Sequence, residues 1–307
     1  MTVSVPLVSV LIPLYNHARY ITRCLDSVLE DGYTRIEIII IDDGSKDNSK
    51  ELAREWFNKQ DKNLLERFEI ESRPNKGVTR TLNELVCKAR GEYITLLASD
   101  DYLLKDGIST RLDYLQKNSS KYAVFGDSVV VDDSGIVTHN SGIADLNGGK
   151  IECLIDEKLL PIELIYNWCV PGPGFMARRE LYDIVGLYDE TLTVEDWDMY
   201  LRIMARNFLG FTPHQVAAYR YHGDNSILNS RMKMKQLTSI MLTAWKNHRA
   251  FHGILRFGLL YKCFKLRQEI AEVQEQTVKA YFHRKICRLL YRLSIHRYHK
   301  IIKHISS

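Results

Sequence analysis

Twice in this chain a short run of β-branched and aromatic residues stops on two adjacent aspartates. "IIIIDDG" ends on Asp42-Asp43, and "YITLLASDD" ends on Asp100-Asp101. Apolar runs this short, bounded by turn residues, fit strands of a buried parallel sheet. Helical spacing fills the intervals: Ile21, Leu25, Val28 and Leu29 within 19–30, and again over 48–58 and 78–89. With 7–14 as a first strand, the order is βαβαβ. That order predicts a right-handed, mostly parallel α/β sheet, and ligands of such sheets bind beyond the carboxyl ends of the strands.

Further along, "KYAVFGDSVVVDD" (121–133) reads as a strand pair, and the polar, Gly-rich stretch 138–150 as a mobile loop. Helices are expected over 178–186 and 196–207, then a strand over 215–226 that leaves the domain, then helix throughout. A chain of 307 residues exceeds one typical domain. The expected division is a body over 1–228 and a helical appendage over 229–307. Charge follows the same division. Residues 231–307 carry 17 lysines and arginines against 3 acids, and the remainder is net acidic. Six scattered cysteines without a Cys-x-x-Cys pair argue against a zinc site or disulfide framework and fit a reducing compartment. The N-terminal stretch lacks a basic flank and is broken by Pro6 and Pro13, so it reads as a strand rather than a signal peptide. No apolar run is long enough for a transmembrane helix.

Each acid pair has a bland reading as a turn after a strand. Two pairs at the ends of strands in one sheet say more. A crevice lined by several carboxylates needs cations to offset their repulsion, and Mg²⁺ or Mn²⁺ prefers carboxylate oxygens, keeping waters and phosphates as further ligands. A third acidic site, "LTVEDWDMYLRI", holds Glu195, Asp196 and Asp198. Acids suit a helix N-terminus, and an aspartate there can act as a general base towards a hydroxyl. A phospho-accepting or nucleotide-binding regulator would explain Asp42-Asp43, but it has no use for the other acids together.

The succession "VSVLIPLYN", "IIIIDDGSKDNS", "NKGVTRTLNELVCKARGEYITLLASDD", "EDWDMYLRI" and "YRYHGDNS" resembles the inverting family 2 glycosyltransferases of the GT-A fold, of the bacterial cell-surface glycan type, over roughly residues 7–226. The resemblance implies a nucleotide-sugar donor, most simply a UDP-sugar, and single-displacement transfer with inversion at the anomeric carbon. It also implies Mn²⁺ or Mg²⁺ and a glycan or lipid-linked acceptor, at the cytoplasmic face of the cell membrane. By motif, Pro13 and Tyr15 line the nucleobase pocket and Asp42 accepts from the uracil N3–H. Asp100 sits near the ribose and metal, and Asp101 is the main protein ligand of the metal. Asp196 is the base, with Glu195 beside it, and His222 assists the metal near the diphosphate. Arg80 and Lys76 meet the phosphates. The segment 169–181, "CVPGPGFMARREL", matches one that shapes the acceptor side. Two departures stand out: Ala98 occupies a position where many relatives carry a further acid, and Leu82-Asn83 replaces a frequent Arg-Asn.

In the basic tail, Phe282, Ile286, Leu289, Leu290 and Leu293 fall on one helical arc at about 100° per residue, with Arg284, Lys285, Arg288 and Arg292 opposite. After Ser294 the apolar arc rotates, so a break is expected there. Three readings stand: a cap packed on the body, attachment to an anionic membrane surface, and homo-oligomerisation through the helices. Nucleic-acid binding is not expected, since no basic groove with interleaved aromatics is present.

Overall fold

The computed structural model of the chain describes residues 5–223 and 233–305. β1 (Val8–Leu14), α1 (Ile21–Glu30), β2 (Ile36–Asp42), α2 (Ser49–Lys59), β3 (Arg67–Ser72), α3 (Val78–Lys88) and β4 (Tyr93–Leu96) alternate strand and helix. Of these, β3 alone was not expected, because Arg67, Glu69 and Glu71 interrupt any apolar run there. A two-residue β5 (Tyr102–Leu103), α4 (Gly107–Lys117), the long β6 (Ala123–Val131) and β7 (Val137–His139) follow. Next come α5 (Ile151–Ile155), α6 (Leu160–Tyr166), β8 (Phe175–Arg178), α7 (Leu181–Val185), α8 (Glu195–Met204) and β9 (Leu209–Arg220). α9 (Lys233–Asn247), α10 (Gly253–Val273), α11 (Thr277–Leu293) and α12 (Ile295–Ile305) complete the described chain. None of the described helices is long and apolar enough to cross a membrane.

The chain forms two compact units. The first holds residues 1–151, 169–188 and 207–222, and the second 152–168, 189–206 and 223–307. The expected boundary at 228/229 lies outside the described residues, as do 224–226 of the expected strand.

The first unit is built on one nine-stranded sheet, ordered β3-β2-β1-β4-β8-β6-β9-β5, with β7 pairing β6. β3, β2, β1 and β4 are parallel, in a register that brings Leu14, Asp42 and Ser72 level at their carboxyl ends. Every residue of β2 is buried, including Glu37 in the midst of the isoleucines. Its carboxylate is tolerated because Ser9 Oγ (2.5 Å), the Arg90 and Gly91 amides and the Arg67 guanidinium all donate to it. β8 enters antiparallel beside β4, and β9 runs parallel to β6.

Four sequence expectations change here. The stretch 121–133 supplies one strand rather than a pair: β6 is flanked by β8 and β9, and its hairpin partner β7 comes from 137–139. The stretch 138–150 is folded rather than a loose loop. Asp127, buried in β6, accepts from Ser141 Oγ (2.6 Å) and the Ile143 amide (3.1 Å), and Ile143 is fully buried. Residues 178–186 divide between the end of β8 and the short α7. The strand expected from 215 begins at Leu209 and stays in the sheet. Close packing accounts for much of this. A Cβ on Gly174 would lie 2.4 Å from the Gly126 carbonyl oxygen, so the Gly-Pro-Gly turn before β8 needs glycine to pass β6.

The second unit is helical. The Tyr166 ring lies against Gly258 of α10 and stacks on Tyr298 of α12 at 4.8 Å. The Tyr298 hydroxyl donates to buried Glu163 at 2.9 Å. The break expected after Ser294 is present between α11 and α12. Asp198 fastens α8 to α9. It is fully buried and accepts from Arg202 Nε (2.9 Å), Asn247 Nδ2 (2.8 Å) and Lys246 Nζ (3.2 Å). Removing this carboxylate takes one partner from Arg202, Asn247 and Lys246, of which Lys246 keeps Asp189 at 2.7 Å and is 43% exposed. Asp198→Ala is therefore expected to cost about 2–3 kcal/mol, below the full cost of breaking a sealed pair. A urea-unfolding midpoint equal to that of the parent chain would contradict this role.

Candidate active site

The parallel strands deliver their last residues to one edge. The Asp43 amide donates to the Leu14 carbonyl, which ties the ends of β1 and β2 together. Asp42 is 2% exposed. Its Oδ1 accepts from the Ser45 amide (3.1 Å) and its Oδ2 from Ser72 Oγ (2.7 Å). Pro13 is half-buried at the end of β1, and Tyr15 beyond it leaves 45% of its surface exposed. Asp43 points the other way and organises the β3–α3 connection, accepting from the Lys76 and Gly77 amides (2.8 and 2.9 Å) and from Arg73. Gly44 makes the divergence possible: its φ is +79°, and a Cβ there would meet the Asn75 amide nitrogen at 2.9 Å. The two basic residues expected at the phosphates both turn to one acid on α3. Lys76 Nζ lies 3.3 Å and Arg80 Nε 3.5 Å from Glu84 Oε1.

At the end of β4 the chain makes a tight turn, with the Asp101 amide donating to the Ala98 carbonyl at 3.0 Å. The two aspartates separate there. Asp101 turns inward, 3% exposed, and its Oδ1 accepts from the Arg220 amide at 2.8 Å. Burial, followed by the charge of Asp100, pushes the Asp101 carboxyl well above the ordinary aspartate range. Asp100 faces two imidazoles: its Oδ2 lies 3.1 Å from His222 Nε2 and its Oδ1 3.8 Å from His17 Nδ1. His17 Nδ1 is also 2.8 Å from Ser99 Oγ. The Tyr20 ring lies 5.3 Å from that of His222, and the Arg220 guanidinium stands 4.8 Å over the same tyrosine. Arg220 Nε donates to the Asp100 carbonyl at 2.9 Å, and its Nη1 donates to the Asp132 and Asp133 carbonyls.

One ligand atom from each of His17, Asp100 and His222 falls within 4.8 Å of the others. One carboxylate oxygen and two imidazole nitrogens form a donor set that suits a divalent cation of the manganese or zinc type, with room left for water or phosphate oxygens. The residues therefore fit a metal. Of the sequence candidates, Asp100 and His222 come together, and Asp101 lies outside the group. His17, Ser99, Tyr20 and Arg220 were not singled out from the sequence. A signal for His17 was present in "LYNHA", a histidine three residues past the end of a strand.

Asp196 and Glu195 open α8 in the second unit. Asp196 Oδ1 accepts from the Trp197 amide at 2.6 Å. The Asp196 side chain keeps access to solvent, yet protein atoms crowd its carboxyl and push it above the ordinary aspartate value. Trp197 is buried beside it, with the Lys262 ammonium 4.7 Å over the indole. Crowding also pushes Lys262 down, to about 8. Asn83 is a clamp in the first unit: it accepts from the Tyr188 amide (2.8 Å) and donates to the Tyr188 carbonyl (3.0 Å).

Residues 9–184 match the family model "Glycosyl transferase family 2". The chondroitin synthase of Pasteurella multocida is 36% identical over 229 residues, 74% of this chain and 22% of the synthase. That of Escherichia coli is 31% identical over 200 residues, 65% of this chain and 26% of the synthase. The matched stretch thus spans about a quarter of either relative. Among solved structures, S. aureus TarS 1–349 in complex with UDP-GlcNAc superposes with a TM-score of 0.65 at 17% identity, over 90% of this chain and 79% of that one. The mannosyltransferase PcManGT from Pyrobaculum calidifontis, in complex with GDP-Man and Mn²⁺, gives 0.62 at 17% identity, over 95% and 86%. At these identities the superpositions establish a common fold, the GT-A arrangement expected from the motifs.

The raised Asp196 carboxyl has a measurable consequence. A fold that favours the protonated form gains stability below the unfolded-state pKa and loses it as pH rises through the folded-state value. Asp196→Asn is therefore expected to be at least as stable as the parent at neutral pH, with the difference vanishing in acid. Thermal unfolding at both pH values measures this, and a variant less stable at neutral pH would contradict it.

Proposed function

The chain belongs to glycosyl transferase family 2, and on that premise we propose that it transfers a sugar from a nucleoside-diphosphate donor, most simply a UDP-sugar, to a hydroxyl of a glycan or lipid-linked acceptor, with inversion at the anomeric carbon. The observation that carries this reading is the grouping of Asp100, His222 and His17 beyond the end of β4, in the sheet whose neighbouring strand ends present Asp42, Pro13 and Tyr15. Membership of the family removes the alternative of a non-transferase regulatory domain. The burial of Asp42 and its two hydrogen bonds also leave it poorly placed as a phosphoryl acceptor.

In this reading Tyr15 offers an aromatic face to the nucleobase, and Asp42, held by Ser45 and Ser72, accepts from a base N–H. His17, Asp100 and His222 would hold the divalent cation, for which two imidazoles favour Mn²⁺ over Mg²⁺, and which when bound would offset the charge developing on the leaving diphosphate. Asp101, named from the motif as the principal ligand, takes a supporting part: its inward carboxylate and the Arg220 amide fix the turn that aims Asp100. Asp196 takes the proton of the acceptor hydroxyl, an effect worth roughly 10²–10⁴-fold, and its raised carboxyl brings it nearer to the pH at which a base is most useful. Inversion requires one displacement, so one base suffices. The likeness to two polysaccharide synthases supports an acceptor in cell-surface glycan assembly, and donor supply favours the cytoplasmic side of the membrane.

Calorimetry with UDP, with and without Mn²⁺, tests the donor half. Asp100→Ala and His222→Ala are each expected to weaken Mn²⁺-dependent UDP binding by at least roughly 10–100-fold, the loss typical even of groups that only orient a metal's ligands. Unchanged binding in both variants would remove the metal assignment. Asp196→Asn is expected to bind donor normally while turnover falls by roughly 10²–10⁴-fold. A panel of UDP-, GDP- and dTDP-sugars scores that turnover, and full activity would remove Asp196 as the base.

A further inference from the structure

The seventeen residues of α11 put an unexpected side outward. The helix buries Ala280, Cys287 and Leu290, with Ser294 just beyond its end. At about 100° per residue these fall on one side. On the opposite side, within an arc of roughly 40°, stand Val278, Phe282 and Leu289, which are 80%, 64% and 61% exposed. The apolar arc seen in the sequence is thus divided: Leu290 faces the unit, whereas Phe282 and Leu289 face solvent. Ala280, Cys287 and Leu290 line the packed seam, and the larger apolar side chains Val278, Phe282 and Leu289 stay exposed among the described residues.

The flank of the exposed stripe is basic. Lys285, Arg288 and Arg292 are exposed beside it, together with Tyr281, whose ring carries the Lys285 ammonium at 4.8 Å. Arg284 is already paired with Glu272 of α10. No acidic residue occurs from Thr277 to Ser307. Single exposed apolar residues are ordinary on protein surfaces. Three in line along a helix, edged by cations with no acid in the segment, are not.

We propose that this outer face of α11 lies on an anionic lipid surface. Val278, Phe282 and Leu289 enter the boundary between headgroups and acyl chains, and Lys285, Arg288 and Arg292 meet the lipid phosphates. Charge complementarity selects this occupant. A symmetric contact with a second copy would bring the same cation-edged face, with no acid from Thr277 onward, against itself. A nucleic acid would satisfy the cations but give no use to Val278 and Leu289. The surface lies wholly within the second unit and is independent of the transferase reading, since a chain failing every donor assay would still be held by vesicles.

Flotation of the full chain with phosphatidylcholine vesicles, with and without about a third phosphatidylglycerol, reads this directly. The parent is expected to float with the anionic vesicles only and to be released by high salt. Arg288→Glu with Arg292→Glu, and separately Phe282→Ser with Leu289→Ser, are each expected to lower partitioning at least tenfold, roughly, with circular dichroism and melting unchanged. Four results would overturn the proposal: equal flotation with neutral vesicles, no flotation of the parent, undiminished flotation of both variants, or a stable dimer that the Phe282/Leu289 variant dissociates. Binding to RNA as tight as to anionic vesicles would overturn it as well.

Discussion

Two carboxylates stand side by side at the end of β4 because Arg220 keeps them apart. Its amide takes the Asp101 carboxylate inward, and its guanidinium takes the Asp100 carbonyl and the carbonyls of the β6–β7 turn. That leaves only the Asp100 side chain facing the crevice. An isolated guanidinium at 4% exposure would be costly. Here it is satisfied by three backbone carbonyls and the face of Tyr20. The last residue of β9 thus binds the end of β4 to the β6–β7 turn, and His222, two residues further on, reaches Asp100 as a result.

Three of the four parallel strands were legible in the sequence because β1, β2 and β4 are largely buried and read as short apolar runs. β3, with Arg67, Glu69 and Glu71 in it and an exposed end at the sheet edge, offers no such run and was not expected. The other half was legible only in part: strands were expected within 121–133 and from 215, but not their extent or pairing. β6 and β9 contain polar residues whose partners lie far along the chain, such as Asp127 with Ser141 and Arg220 with Asp100, and local periodicity carries no trace of them. Glycines misled in a particular way. In 138–150 they looked like flexibility, but Gly142 and Gly149 serve close approach: a Cβ on either would collide with Ser128 or Cys169.

The candidate site divides along the same line. Asp42 and Asp100 were found because acids at strand ends are a local signal, whereas His222 came only from the family resemblance of the "YRYH" motif. Which member of the Asp100-Asp101 pair faces the crevice is decided by an arginine 119 residues away, and no spacing rule contains that. Asp198, grouped with Glu195 and Asp196 by its neighbourhood alone, has structural duty instead. One turn of α8 sends Asp198 into the core of the second unit and leaves Asp196 with solvent access, so consecutive acids in one motif carry unlike tasks.

The floor and the rim of the donor edge are held by different means. Asp42 and Asp43 are each locked by separate partners, down to a glycine that no other residue can replace without strain. Tyr15, just past the end of β1, leaves 45% of its surface exposed. Substitution at the floor disturbs three strands, whereas substitution at the rim disturbs almost nothing. On the nucleobase role proposed for Tyr15, a lineage built on this plan could change the base it reads by drift at the tyrosine position while the strand ends stay intact, so divergence of donor preference would be decoupled from the risk of losing the fold.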